Sequence, residues 1–257
     1  MKHHRTAIAI LMVWVFMACA CSANPAPTPT STPEAIMTTV APTAAATETL
    51  KPTETQVPTQ TAIPTLTPTS ESAGMEKLVK KLYEDKIITS TEGEYHHLDD
   101  FDEEWAQLYY YQWWYTDYSP SNFIIQADME WESASKTANF GDSGCGFVYH
   151  TEDAGDHHAT FLMMDGKVQT YRAVNNNWTT LKGGNAGRFN TPKDKAHMTL
   201  VVDNQWITVY VNEKKVVHFQ DTKLQGGKLA LTLASGTNKD FGTRCIMKNV
   251  ELWELPE

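Results

Sequence analysis

Basic residues and long hydrophobic runs are both scarce in this 257-residue sequence. Lysine and arginine number 21 against 31 acidic residues, which gives a formal net charge of −10. Proteins that bind nucleic acid, or that adhere to anionic lipid by charge, need the opposite balance, so neither partner is expected. The most apolar run, Thr6 to Ala18, has 13 residues, whereas a membrane-spanning helix needs about 20. This run is therefore too short to span a bilayer.

Motifs for nucleotide cofactors and for common metal sites are also missing. The sequence has no phosphate-binding glycine loop, no Ser-His-Asp order and no paired C-x-x-C, so we expect neither a nucleotide cofactor nor structural zinc. Residues 99–104 place five carboxylates in six positions, and calcium binds several oxygens. They lack the D-x-D-x-D-G spacing of a calcium loop, so we predict a solvated acidic loop, with structural calcium as the alternative.

One polar loop is rich in histidine. His150, Asp156, His157 and His158 fall in it or beside it. Because neighbouring side chains on a strand point to opposite faces, at most one of the last two histidines can join His150. We therefore predict polar turn chemistry here rather than a transition-metal site.

The first 21 residues have the pattern of an export signal: a short basic start, the apolar run, and then M-A-C-A-C-S. They resemble the bacterial lipoprotein signal, in which a cysteine after a small residue receives lipid. Cys19 and Cys21 both meet that condition. The family prefers a branched aliphatic residue three positions earlier, where this sequence has Phe16 or Ala18, so the choice between the cysteines stays open. The resemblance implies a lipid-anchored protein on the bacterial surface that contacts the membrane only through its N-terminal lipid. Secretion without lipid is the alternative.

The segment after the signal has a different composition from the rest. Residues 24–73 hold nine of the twelve prolines, are rich in Thr and Ala, and contain no Phe, Trp or Tyr. Such a segment cannot bury enough apolar surface to offset the entropy of ordering. We therefore predict a signal peptide at 1–21, a disordered Thr/Pro-rich stalk at 22–74 and one domain at 75–257, which is long enough for a single core. A linker of no specific role predicts the same disorder.

Hydrophobic periodicity predicts an all-β domain with one short N-terminal helix. Apolar residues recur at helical spacing at the start of the domain: Met75, Leu78, Val79, Leu82 and Tyr83. From Tyr95 onward the period is two, and the run NFIIQADMEW places alternate apolar side chains on one face. Turn residues divide the strands at 165–166, 203–204 and 212–213. Many short strands with such turns are typical of a β-sandwich.

The order of these strands resembles a known fold family. The segments SGCGFVYH, DGKVQTYR, LVVDNQWITVYVN, GGKLALTLASGT and NVELWEL follow one another as in the concanavalin A-like jelly roll. The resemblance covers about residues 121–255 and is close to the laminin G-like and 3-keto-disaccharide hydrolase-like domains of exported bacterial proteins. It implies two curved antiparallel sheets. Its members include lectins, glycosidases and adhesion modules, so the fold does not choose an activity.

Two cysteines, Cys145 and Cys245, lie in the mature domain, each within an apolar strand-like run. An even pair in an oxidising compartment favours a disulfide between them, with two buried thiols as the alternative.

Three carboxylates, Asp128, Glu130 and Glu132, alternate along one strand and therefore share a face. Neighbours two positions apart are about 7 Å apart, a separation that glycosidase chemistry allows. Glycosidases of the superfamily carry a Glu-x-Asp-x-Glu strand, whereas the order here is Asp-x-Glu-x-Glu. We predict an ordinary solvated face, with catalysis as the alternative.

The segment LYYYQWWYTDY, residues 108–118, is aromatic on both faces of a predicted strand. We expect Leu108, Tyr110 and Trp114 in the core, and four side chains on the other face: Tyr109, Tyr111, Trp113 and Tyr115. Exposed aromatic faces suit sugar rings. The competing interpretation is that the helix or an N-terminal strand covers them as a second small core.

These patterns predict a non-catalytic, lectin-like module that binds polysaccharide or a cell-wall glycan. The predicted site is formed by Tyr109, Tyr111 and Trp113, with Asp128 and Glu130 as its polar fringe. A glycosidase or sugar lyase that uses the acidic strand is one alternative. A structural or adhesion module that binds protein is the other.

Overall fold

A computed structural model describes residues 71–257, apart from Ala154. The predicted signal peptide, nearly all of the predicted stalk, and both Cys19 and Cys21 lie outside the described residues. In the part of the chain that is described, no helix is both long and apolar enough to cross a membrane.

The described chain forms one α-helix, one short 3-10 helix and thirteen strands. The α-helix α1 is Ala73–Glu84, and the 3-10 helix is Phe140–Asp142. The strands are β1 Glu94–His97, β2 Phe101–Trp105, β3 Tyr111–Tyr115, β4 Asn122–Ser133, β5 Gly144–Asp153, β6 Asp156–Met163, β7 Lys167–Val174, β8 Asn177–Asn185, β9 Lys193–Asp203, β10 Trp206–Val211, β11 Lys214–Gln220, β12 Lys228–Ala234 and β13 Thr243–Leu255.

The strands form two antiparallel sheets. The seven-stranded sheet has the order β1-β13-β4-β9-β10-β11, with β2 also paired to β13. The six-stranded sheet has the order β3-β12-β5-β6-β7-β8. The predicted all-β sandwich with one short N-terminal helix is confirmed.

Every second side chain along the strands points into the space between the two sheets and fills it with apolar groups. In β4 the inward positions from Phe123 to Trp131 belong to the central core, as the period-two pattern predicted. Leu229, Leu231 and Leu233 of β12 belong to the same core, so the inner faces of both sheets contribute. Full burial of one large apolar side chain stabilises the fold by about 1.5–3 kcal/mol, so this layer is the main source of stability.

Helix α1 packs on the outer face of the seven-stranded sheet. Its buried side chains, Met75, Val79 and Leu82, contact a small cluster that includes Ile124 and Trp253. The helix begins at Ala73, two residues before the start that the sequence predicted for the domain. The helix therefore covers a flank of the sandwich, and that flank is not the side that carries Tyr111 and Trp113.

Tight turns join the hairpins near the predicted positions. Asn212 and Glu213 turn β10 into β11 with φ of 48° and 64°, and Gly166 has φ of 88° between β6 and β7. The turn after β9 is shifted by one residue from the prediction, because Asp203 stays in the ladder opposite Trp206. Asn and Gly tolerate these left-handed angles, which explains their positions.

A disulfide joins Cys145 of β5 to Cys245 of β13. Both cysteines are fully buried, and each belongs to a different sheet. The bridge therefore ties the two layers together through the core.

Candidate functional site

Strand β3 places aromatic side chains on the outer face of the six-stranded sheet. It pairs with β12, with Tyr111 opposite Ala234 and Trp113 opposite Thr232. Trp114 points the other way and contacts Phe101, at a ring-centroid distance of 5.2 Å, on the side of the core. Tyr111 and Trp113 therefore lie on the outer face, as the sequence predicted.

Small residues on the next two strands leave room for these rings. Opposite Ala234 and Thr232 of β12 stand Gly144 and Gly146 of β5. A Cβ atom at Gly146 would lie 2.1 Å from the carbonyl oxygen of Thr160, so the close approach of β5 to β6 requires glycine there. The result is a low floor between β3 and β6.

The rings from β3 reach across this floor to meet rings from β6 and β8. Strands are about 4.8 Å apart, so β3 and β6 are separated by roughly 14 Å, yet the ring of Tyr111 lies 5.1 Å from that of Phe161. The ring of Trp113 lies 5.2 Å from that of His157, and Tyr111 lies 5.5 Å from Trp178. Side chains from three strands therefore form one aromatic cluster.

The cluster encloses a cleft of about 500 Å³, within the range of small-molecule sites. Its floor is apolar and buried, and includes Phe161 and Met163. Trp178 is 52% exposed and Tyr109 is 84% exposed, so both present ring surface to the solvent. The lining residues are Tyr109, Tyr110, Tyr111, Trp113, Asp142, His157, Phe161, Met163, Tyr171, Asn176, Trp178 and Ala234.

Polar groups are few at this cleft. The hydroxyl of Tyr111 is hydrogen bonded to Nε2 of His157 on the floor, and burial raises the pKa of Tyr111, so its ring stays a neutral phenol. Burial also raises the pKa of Tyr171, with a smaller contribution from the negative charge of Asp142. The carboxylate of Asp142 accepts a hydrogen bond of 2.5 Å from the side-chain amide of Asn139.

The structure corrects two predicted positions in the aromatic segment. Leu108 was expected in the core, but it is only half-buried and is not part of the central core cluster. Tyr110 was expected in the core, but it is 62% exposed at the rim of the cleft. Strand β3 begins only at Tyr111, so Tyr110 lies outside the pleat that would have turned it inward. Tyr109 lies beside it with φ of 65°, a left-handed angle that is uncommon for a bulky residue.

The predicted polar fringe lies on the opposite side of the molecule. Asp128 and Glu130 project from the outer face of the seven-stranded sheet, because their neighbours Ala127 and Met129 on β4 fill the core. The cleft is on the outer face of the six-stranded sheet. The prediction that these carboxylates border the site of Tyr109, Tyr111 and Trp113 is therefore wrong.

The acidic strand is engaged in surface contacts instead. Asp128 accepts hydrogen bonds of 2.8 Å from His197 and from Asn249. Burial tends to raise the pKa of Asp128, but these two hydrogen bonds lower it overall. Lys193 lies 3.1 Å from Glu130 and 3.3 Å from Glu132. A glycosidase acid requires a raised pKa, so the state of Asp128 does not favour catalysis here.

The acidic run at 99–104 is partly a strand. Residues 101–104 belong to β2, so they do not form the solvated loop that the sequence predicted. Asp102 binds Arg244 through two contacts, of 2.7 and 2.6 Å, which hold the pKa of Asp102 below its usual range. Within residues 71–257, as far as they are described, no group of three or more His, Cys, Asp or Glu is arranged as a metal site.

The histidine-rich segment supplies two separate environments. His157 faces the aromatic cleft, whereas His158 points inward and its Nδ1 lies 3.2 Å from Nδ1 of His150. The prediction that only one of the adjacent histidines joins His150 is confirmed. His158 donates to Asp221 at 2.8 Å, and Arg172 donates to the same carboxylate at 2.5 Å.

Sequence reasoning missed half of the cleft. His157, Phe161, Tyr171 and Trp178 come from strands that the sequence did not connect with β3. The alternation of H-H-A-T-F-L-M gives His157, Phe161 and Met163 one face, but nothing local shows which sheet that face belongs to. Trp178 follows three asparagines, and an aromatic residue directly after a polar turn was the available signal.

No family model matches the sequence, and no curated protein matches it. Solved structures are similar to it at 10–15% identity. A carbohydrate-binding module, CBM66, from Bacillus subtilis has 11% identity and a TM-score of 0.46, over 64% of this chain and 98% of that one. A Bacillus licheniformis beta-glucanase has 14% identity and a TM-score of 0.41, over 55% and 69%. Sheep galectin-11 has 13% identity and a TM-score of 0.38, over 57% and 98%. These are distant likenesses of the sandwich fold.

Proposed function

We propose that the protein is a non-catalytic glycan-binding module and that the aromatic cleft is its binding site. The observation that supports the proposal is the cleft itself, in which exposed ring surface stands over a buried apolar floor on one face of a rigid sheet. The predicted ligand class, polysaccharide or cell-wall glycan, is kept. The predicted residues Tyr109, Tyr111 and Trp113 are kept as well, and His157 and Trp178 are added.

Sugars fit this chemistry better than flat apolar ligands do. The C–H face of a pyranose ring stacks on an aromatic ring, while its hydroxyls need polar partners at the edge of the ring. Trp178 offers an exposed face, and Asn176 and Asp142 stand at the rim with amide and carboxylate groups. A cleft of about 500 Å³ has room for one or two sugar units.

Catalysis at the cleft has less support. Glycosidases use two carboxyl groups on either side of the scissile bond. Among the described residues that line the cleft, Asp142 supplies the one carboxylate. The acidic strand with Asp128, Glu130 and Glu132 lies on the other sheet. We therefore propose binding without bond cleavage.

Replacing Trp178 with Ala is expected to weaken glycan binding about 30-fold. Truncation of an aromatic residue at the centre of an interface costs on the order of 2 kcal/mol, which is about 30-fold in the dissociation constant. The ligand is first selected from a glycan array with the wild-type protein, and affinities are then measured by calorimetry. Trp206→Ala is the matched control, because Trp206 is 44% exposed on the other sheet. Equal losses in both variants, or no loss in Trp178→Ala, would contradict the assignment.

We also propose that a lipid on Cys19 or Cys21 anchors the protein and that residues 22–74 form the stalk. Stable anchoring needs more than one acyl chain, which the lipoprotein signal supplies. Replacing each cysteine singly with Ser should release the protein from the membrane fraction in one variant only. Metabolic labelling with a fatty acid checks the assignment. Absence of label on the wild-type protein would contradict the proposed lipid anchor.

A further inference from the structure

The charged side chain that lines the cleft is negative, and lysine and arginine are missing from the described lining. Of the lining residues that the structure describes, only Asp142 carries a carboxylate. Seven lining side chains contribute the rings of tyrosine, tryptophan or phenylalanine: Tyr109, Tyr110, Tyr111, Trp113, Phe161, Tyr171 and Trp178. The face of an aromatic ring carries negative electrostatic potential, so the rings and the carboxylate favour the same sign of ligand charge.

Asp142 is held in place without being neutralised by a cation. It ends the 3-10 helix Phe140–Asp142, and Asn139 caps that helix by accepting from the backbone N–H of Gly141 at 3.2 Å. The same Asn139 side chain donates to Asp142. Asn139 is a neutral partner, so this hydrogen bond does not pair the carboxylate with a cation.

The nearby lysines are engaged elsewhere. Lys167 lies 2.5 Å from Asp165, outside the cleft lining, and this ion pair is the main reason that the pKa of Lys167 is raised, with a smaller contribution from Asp142. Lys228 lies 5.0 Å from the ring centroid of Tyr115, which is also outside the lining. The influence of Asp142 on the ring side of the cleft is visible at Tyr171, whose pKa it helps to raise. Asp142 therefore lines the cleft as a carboxylate whose charge reaches one of the aromatic side chains there.

We infer that the cleft selects glycans that carry free amino groups, that is, unacetylated amino sugars of the glucosamine type. The inference rests on the proposed glycan-binding function and names the ligand class of the same site. The ammonium group pairs with the carboxylate of Asp142, and the sugar ring stacks on the aromatic walls. Polymers of uronic acid carry negative carboxylates. The carboxylate of Asp142 and the negative faces of the aromatic rings repel them, so such polymers bind the cleft poorly.

Four hexasaccharides of similar size test this selection. They are the hexamers of glucosamine, of N-acetylglucosamine, of glucose (cellohexaose) and of galacturonic acid. Affinities of the full chain are measured by calorimetry at low and at high salt. A hydrogen bond to a charged group contributes about 1.5–3 kcal/mol, so the glucosamine oligomer should bind at least about tenfold more tightly than the acetylated one. High salt should remove most of that advantage, because rim charges are screened.

Asp142→Asn keeps the size of the side chain and removes its charge. It should abolish the preference for the glucosamine oligomer over the acetylated one. Glu130→Gln removes a carboxylate on the outer face of the other sheet, and it should leave the preference intact. Equal affinities of the wild-type protein for glucosamine and cellohexaose would overturn the inference but not the proposed function. A preference that survives in Asp142→Asn would also overturn it. Failure to bind any of the four oligosaccharides would overturn both.

Discussion

Removing the Cys145–Cys245 disulfide is expected to lower the free energy of unfolding by about 4 kcal/mol. The bridge spans 100 residues, and the chain-entropy account of a loop of that length gives about 4.7 kcal/mol. A domain has a total stability of about 5–15 kcal/mol, so the loss is a large fraction of it. The bridge also joins β5 of one sheet to β13 of the other, so its removal loosens the contact between the layers.

The double variant Cys145→Ala/Cys245→Ala and the wild type are compared by urea unfolding, each with and without reductant. Alanine is apolar and smaller than cysteine, so it leaves no unpaired polar group at either buried position. The wild type should lose stability on reduction, and the variant should not respond to reductant. A double variant within about 1 kcal/mol of the oxidised wild type would show that the bridge contributes little.

The second large effect is a loss of stability of about 3 kcal/mol as the pH falls from about 6.5 to about 4. Burial and the nearby His158 lower the pKa of His150 to about 4, whereas an unfolded histidine titrates near 6.5. In that window the unfolded chain takes up a proton that the folded protein excludes, so acid favours unfolding. Above pH 6.5 both states are neutral at His150, and this contribution to stability is fully present.

Burial is the main reason that His150 stays neutral, and the hydrogen bond to Ser121 acts in the opposite direction. Nε2 of His150 donates to the carbonyl oxygen of Ser121 at 3.0 Å, which leaves Nδ1 unprotonated, 3.2 Å from Nδ1 of His158. Burial alone would raise the pKa of Asp221, but hydrogen bonds from His158 and Arg172 lower it to about 2. The stability that Asp221 contributes is therefore present above about pH 4 and is lost as the pH falls toward 2.

His150→Asn tests the assignment of the upper window. His150 has φ of 53°, a left-handed angle that asparagine also adopts, so the backbone is preserved while the titrating group is removed. The variant should lose most of the pH dependence between 6.5 and 4 in urea unfolding. His97→Asn, at an exposed position of β1, is the matched control and should keep the wild-type dependence. A steep acid dependence that persists in His150→Asn would place its origin elsewhere.

The sequence predicted those parts of the fold that depend on local patterns. Helix α1 and the inward face of β4 follow from side-chain spacing alone, because each element buries one stripe or one face. The turn at Asn212 and Glu213 follows from the left-handed angles that hairpins require. The turn after β9 was misplaced by one residue, since a ladder can continue through an aspartate such as Asp203.

The site was predicted only in part, because it depends on which strands become neighbours. Tyr111 and Trp113 could be assigned to an outer face from alternation, but alternation does not say which sheet a strand joins. Asp128 was therefore grouped with them, although β4 lies in the opposite sheet. The residues that complete the cleft, His157 and Trp178, lie dozens of positions away in the sequence and approach β3 only across the small residues of β12 and β5.

The most direct test of the glycan-binding account is an NMR titration that observes the tryptophan indole N–H signals. A glycan selected on the array is added to the ¹⁵N-labelled protein, and the signals are assigned by single Trp→Phe replacements. The account predicts that the signals of Trp113 and Trp178 move on binding and that the signal of Trp206, on the other sheet, does not. Movement of Trp206 alone, with Trp113 and Trp178 unchanged at saturation, would contradict the account.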